Sequence, residues 1–181
     1  MNPLEVTVAL PPLAALPIRA KHLEDVALIN EFTHESVSTN FLVNLFEHCS
    51  DIRSFCAFRL KKDGQQPHQV TIPAPSLQHL KLENSMLLDK NNRLCCPKLS
   101  YFDFAKDAQT TILDMNFGEC LVECDSLQKM RILLQSSVPP TFWKDFSAPY
   151  NLEEVQIYAV MISFIISSFS KHSNCDIRMT L

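Results

Sequence analysis

The side chains with most chemistry to offer are seven cysteines, at 49, 56, 95, 96, 120, 124 and 175, together with six histidines. Cys95-Cys96 with Cys120-x-x-x-Cys124, joined by His48-Cys49, would be the raw material of a soft-metal site. Zinc sites, however, set their ligands two to four residues apart in matched pairs, and that spacing is absent. A Cys-His nucleophile needs an orienting third group and an oxyanion site, and the sequence offers neither. There is no phosphate loop, dinucleotide fingerprint, nucleophile elbow or zincin motif. The sequence therefore assigns no catalytic residue, no cofactor and no metal.

A different role for several cysteines emerges from the elements that would position them. A short apolar phrase recurs as Leu23-x-x-Val26-x-Leu28, Ile52-x-x-Phe55-x-Ala57, Leu77-x-x-Leu80-x-Leu82, Leu99-x-x-Phe102-x-Phe104, Leu127-x-x-Met130-x-Ile132 and Leu152-x-x-Val155-x-Ile157. Its intervals are 29, 25, 22, 28 and 25 residues, within the period of leucine-rich repeats. The apolar-x-apolar core of the phrase puts two side chains on one face of a short strand. Three residues before the first apolar position stand Ala20, Cys49, Ala74, Cys96 and Cys124, and Ala148 lies four before Leu152. Small side chains suit the place where an incoming segment closes on the core, since larger ones would overpack it.

The expected fold is α/β: a leucine-rich-repeat solenoid over residues 1–181, a single irregular array of about six to eight repeats. Parallel strands line the concave face, and helices and irregular segments cross the convex one. Residues 4–10 alternate like a strand. Thr39 or Asn40 caps a helix whose stripe is Phe41, Leu42, Leu45, Phe46 and Cys49. Residues 61–68 read as an exposed loop. Ile112, Met115 and Cys120 to Cys124 suggest a helix in the fourth connection. Pro139-Pro140 opens a helical turn, residues 160–170 a buried outer helix, and Ile177-x-Met179-x-Leu181 one last strand. No polar capping segment follows, so the array is expected to be a fragment or to be covered at its end.

Composition narrows the classes. The formal charge of −4 gives no footprint for nucleic acid. Only Gly64 and Gly118 are glycines against eleven prolines, which disfavours primed hairpins and glycine-rich anion loops. The odd cysteine count and the absence of a glycosylation sequon point to reduced thiols in a cytoplasmic or nuclear protein. Residues 155–169 fall short of the roughly twenty apolar residues of a membrane span, and no membrane contact is expected.

Outward strand positions are the candidate binding residues. Ala27, Ile29, Cys56 and Ala105 lie there too, but the residues assigned to partner binding are Phe58, Lys81, Glu83, Asp103, Arg131, Leu133, Gln156 and Tyr158. Apolar and aromatic side chains beside an arginine are the types that anchor protein contacts. A protein partner on the concave face is thus expected. The competing expectation is a small α/β hydrolase or transferase whose strands mimic repeats; a reversal of strand order would create its crevice.

The phrases His48-Cys49-Ser50-Asp51-Ile52, Ala74-Pro75-Ser76-Leu77-Gln78-His79-Leu80-Lys81-Leu82, Cys95-Cys96-Pro97-Lys98-Leu99 and Glu123-Cys124-Asp125-Ser126-Leu127 resemble the irregular repeats of F-box leucine-rich-repeat proteins. The resemblance covers roughly residues 20–181. It implies a non-enzymatic substrate-recognition part of a cullin-RING ubiquitin ligase, in which an F-box grips the adaptor and the repeats present the target. The F-box itself, about forty residues opening on Leu-Pro, has no counterpart here: Leu16-Pro17 is followed too soon by the strand at Val26. Adaptor contact would fall to a missing module.

Overall fold

In a computed structural model the phrases become strands that stack in parallel, in chain order. The structure describes residues 22–29, 36–62, 70–85, 87–88, 92–107, 121–135, 152–159 and 176–180. The principal sheet has seven strands: β1 (Asp25–Ile29), β3 (Ser54–Phe58), β6 (His79–Glu83), β8 (Tyr101–Lys106), β10 (Lys129–Leu134), β11 (Glu154–Ala159) and β12 (Asp176–Thr180). Pairing is continuous, so Val26, Phe55, Leu80, Phe102, Met130, Val155 and Ile177 form one register row. The architecture is solenoid-like and built mostly of parallel strands.

Each strand is prepared by the same turn. The amides of Ile52, Leu77, Leu99 and Leu127 donate to the carbonyls of Cys49, Ala74, Cys96 and Cys124, at 3.0 to 3.3 Å. The turn folds its first side chain inward, and Cys49, Ala74 and Cys96 are at most 1% exposed. A leucine in their place would collide with the neighbouring coil, which is why small residues recur there.

Just upstream of β1, β3, β6, β8 and β10, one carbonyl accepts two consecutive amides from the next coil. Glu24 O takes Arg53 and Ser54; Arg53 O takes Gln78 and His79; Gln78 O takes Ser100 and Tyr101. Ser100 O takes Gln128 and Lys129, and Gln128 O takes Glu153 and Glu154. All ten bonds measure 2.7 to 3.1 Å. At the far end, Arg59 N and Asn84 N donate onward to Glu83 O and Ala105 O. Both residues have positive φ, 55° and 51°, where the chain turns away from the sheet. Asparagine tolerates this left-handed conformation, whereas arginine is strained by roughly 1–2 kcal/mol. The Arg59 guanidinium lies 4.9 Å from the Phe58 ring centroid, a contact that offsets part of that cost.

The helix on Thr39–His48 (α1) is the one helix among the described residues. Ser38 caps it, its hydroxyl accepting from Phe41 N at 3.1 Å. The expectation of Thr39 or Asn40 as cap is thus off by one or two residues; Thr39 is itself buried. The expected stripe of Phe41, Leu42, Leu45, Phe46 and Cys49 is buried, and Phe46 meets Phe55 with ring centroids 5.4 Å apart.

Elsewhere the outer side differs from expectation. Strands β5 (Val70–Pro73), β7 (Asn92–Cys95) and β9 (Leu121–Val122) form a second parallel sheet, and β2 (Ser36–Val37) pairs with β4 (Lys61–Lys62). Three connections therefore pass through strands rather than helices. The helix expected through Cys120–Cys124 is replaced over its described part by β9, and the start of the expected 61–68 loop by β4. Spacing explains this: a connection of 17 to 22 residues between main-sheet strands must also cross the coil, and an extended strand does so in fewer residues than a helix. β12 confirms the expected last strand. The readings for residues 4–10, 139–146 and 160–170 lie outside the described residues.

The core runs between the layers. Leu77, Leu80, Leu82, Leu99, Phe102, Phe104, Met130 and Ile132 are each at most 1% exposed, and the Phe102 and Phe104 rings stack at 6.3 Å. Val26 and Leu28 on β1 are only half-buried, because β1 has a neighbouring strand on one side only among the described residues. We expect Leu80→Ala to cost about 2–5 kcal/mol and Ser38→Ala about 1 kcal/mol in urea unfolding followed by circular dichroism. Equal small losses would contradict the assigned core and cap.

Candidate protein-binding face

The register aligns three outward rows across the sheet. The first holds Asp25, Ser54, His79, Tyr101, Lys129, Glu154 and Asp176. The second holds Ala27, Cys56, Lys81, Asp103, Arg131, Gln156 and Arg178. The third holds Ile29, Phe58, Glu83, Ala105, Leu133, Tyr158 and Thr180. All eight residues assigned from sequence fall in the second and third rows, on five adjacent strands from β3 to β11. Phe58, Glu83, Arg131, Leu133 and Gln156 are half-buried and Lys81 is exposed; for Tyr158 only its register position is described.

Asp103 departs from the expectation of an exposed contact residue. It occupies an outward position yet is 4% exposed. Arg131 Nη1 on the next strand reaches its Oδ2 at 3.4 Å, while Oδ1 makes no hydrogen bond. Asp103 therefore acts by holding Arg131 across the sheet rather than by offering its own surface.

Two further charge pairs lie within the face. Lys81 Nζ lies 3.2 Å from Glu83 Oε2, and Lys129 Nζ 3.7 Å from Glu154 Oε2. Gln156 Nε2 donates to Glu154 Oε1 at 2.7 Å. The Glu83 hydrogen bond pushes the Lys81 ammonium up from its ordinary value. Such exposed pairs contribute only about 0–1 kcal/mol each, so their main effect is to fix side-chain positions. His79 and Tyr101 meet edge to face at 6.2 Å and 81°. Burial, then the Asp103 charge, pushes the Tyr101 hydroxyl up.

The first row lies outside the eight residues assigned from sequence. Its signal was legible: extending the alternation one step toward the turn brings His79, Tyr101, Lys129 and Glu154 outward beside the chosen residues. Ile29 is the most exposed large apolar side chain among the described residues, at 42%. In the second and third rows the face thus divides into an uncharged end on β1 and β3, with Ala27, Ile29, Cys56 and Phe58, and a charged middle from β6 to β11.

The cysteines behave as the turn chemistry implies. Burial pushes the Cys49 and Cys56 thiols up. Cys95 donates to Glu123 Oε2 at 3.1 Å; burial, then this bond, pushes it up to about 11. No group of three or more His, Cys, Asp or Glu among the described residues has metal-binding geometry. A small gap between α1 and the coil wall is lined by apolar side chains, including Leu42, Phe46, Phe55 and Leu87, and has no polar group to orient a substrate. The seven strands follow chain order without the reversal that opens an α/β enzyme crevice. No described helix is long and apolar enough to cross a membrane.

Comparison with protein-family models, with curated proteins and with solved structures finds no match to this chain.

Two outcomes are expected. Arg131→Ala leaves a buried carboxylate uncompensated and should cost about 1–3 kcal/mol. In an Asp103→Ala background the same change should cost markedly less, which a double-mutant cycle in urea measures; additive losses would refute the coupling. Second, the folded chain holds the Cys95 proton up to about pH 11, whereas the unfolded thiol ionises near its ordinary value of about 8.5. In that window the folded state binds more protons, so this group's stability contribution falls as pH rises. Site-resolved alkylation of Cys95 should inflect near pH 11, and lower in Glu123→Gln; an unshifted inflection would contradict the Glu123 bond.

Proposed function

We propose that this chain is a protein-binding module whose recognition surface is the outward side of the seven-stranded sheet. The observation that carries the reading is the continuous register of outward rows, which sets uncharged, aromatic and charged residues side by side across one sheet. Seven strands at about 4.8 Å and about 3.3 Å per residue give a face of ~29 by ~17 Å. With side-chain relief this is comparable to one side of a standard interface, about 800 Å². Lys81, Lys129 and Arg131 are each paired within the face, so a partner pays little side-chain entropy to order them.

The finer reading is a leucine-rich-repeat protein of the F-box type, the target-recognition part of a cullin-RING ubiquitin ligase in the cytoplasm or nucleus. It is supported by the turn phrases: Ala74-Pro75-x-Leu77 and Cys96-Pro97-x-Leu99 each close a tight turn ahead of a strand, the arrangement that the resemblance implied. The repeat face would hold the target, and an F-box module would contact the adaptor.

The test is affinity capture from the native cell with the wild-type chain and with two variants, Lys81→Glu and Tyr158→Ala, each first shown to melt as the wild type does. Loss of the same captured protein from both variants is the expected result. Capture unchanged in both would remove this face from the claim. Cullin-ligase adaptor subunits in the wild-type capture would support the ligase reading, and their absence from captures that retain other known complexes would count against it.

A further inference from the structure

Cys96 and Cys124 occupy the same place in two successive coils. Each is the first residue of the turn that precedes its strand, closed by Leu99 N to Cys96 O and Leu127 N to Cys124 O, both 3.0 Å. The two turns touch: the Ser126 hydroxyl donates to Pro97 O at 2.7 Å. Adjacent strands stand about 4.8 Å apart, inside the roughly 4.4–6.8 Å window for the Cα atoms of a disulfide. The Cys96 thiol donates to Leu94 O at 3.7 Å, and the neighbouring Cys124 thiol together with burial pushes the Cys96 thiol up.

The alignment depends on one residue. Cys95 pairs with Val122 in the outer sheet, 27 residues apart, yet Tyr101 pairs with Lys129 in the main sheet, 28 apart. Glu123, at φ 58°, absorbs the extra residue and brings Cys124 onto the Cys96 turn position. The same Glu123 holds the neighbouring Cys95 thiol in a hydrogen bond. Cys49 and Cys56 lack such a neighbour among the described residues: Ala74 stands between Cys49 and Cys96 in the turn series, and Cys56 lies between Ala27 and Lys81; Cys95 also lies near Cys124, but its thiol is engaged by Glu123.

We propose that Cys96 and Cys124 are a redox site, joined in a disulfide by a two-electron oxidant of the peroxide class. The half-exposed Cys124 is the thiol that peroxide reaches. Its sulfur attacks one peroxide oxygen, an S–O bond forms, the O–O bond breaks, and the leaving hydroxide takes a proton to become water. The buried Cys96 sulfur then attacks the Cys124 sulfenic sulfur. The S–S bond forms, the S–O bond breaks, and hydroxide leaves with the Cys96 proton as a second water. Two thiols are oxidised and one peroxide is reduced to two waters. The product staples two coils behind the proposed binding face and is reversible by thiols, as befits a sensing rather than structural disulfide.

The test uses the reduced full chain treated with hydrogen peroxide, then thiol blocking, non-reducing digestion and mass spectrometry. A cross-linked peptide two hydrogens lighter than its parts, with fragments placing the bond at Cys96 and Cys124, is expected. It should vanish on dithiothreitol treatment and in Cys124→Ser, and persist in Cys95→Ser, whose altered side chain is only half-buried. Oxidation should also raise the urea midpoint. Oxidation of Cys124 to sulfinic acid without a cross-link, or a bond that moves with Cys95, would overturn the assignment.

Discussion

One carbonyl oxygen per coil carries the architecture. Glu24, Arg53, Gln78, Ser100 and Gln128 each accept two successive amides from the coil that follows. A parallel ladder alone could slip, and a slip of one residue would turn every inward side chain outward. The doubled bond, placed where the tight turn feeds the strand, ties the ladder to the turn and thereby to the small buried residue at the turn's start. Register, burial and the composition of the outward face follow from that junction.

The sequence made this junction legible because it constrains residue type on both sides. Cys49, Ala74, Cys96 and Cys124 must be small, and Ile52, Leu77, Leu99 and Leu127 must fill the core, at a fixed spacing of three. The strands and their order could be read from that pattern. The outer layer could not. A connection crossing the coil needs only to be short and to bury one or two side chains, and Val70–Pro73, Asn92–Cys95 and Leu121–Val122 meet that need as strands. Their apolar residues are too few to separate a period of two from one of 3.6. The helix at Thr39–His48 was readable because ten residues show the longer period clearly.

The face was legible by position and only partly by behaviour. Alternation placed Asp103 outward correctly, but nothing in the residue order said that Arg131, 28 residues later, would fold over it. Cross-strand pairing at this distance depends on register, which in turn depends on the lengths of the connections. The same holds for Lys106, which stands in the inward row and is 4% exposed; burial pulls its ammonium below the ordinary value. The charge pairs on this surface thus hold one another in place, and the outward rows are mixed in polarity.

The claim on which this account turns is that successive phrases are neighbours, each beside the next and none beside any other. Methyl and aromatic proton contacts in a nuclear Overhauser spectrum of the chain measure this directly. The account predicts contacts linking Ala57 to Leu82, Leu82 to Phe104, Phe104 to Ile132, and Met130 to Val155, in unbroken succession. Strong contacts between Ala57 and Ile132, or a pattern that pairs these residues in antiparallel register, would contradict it.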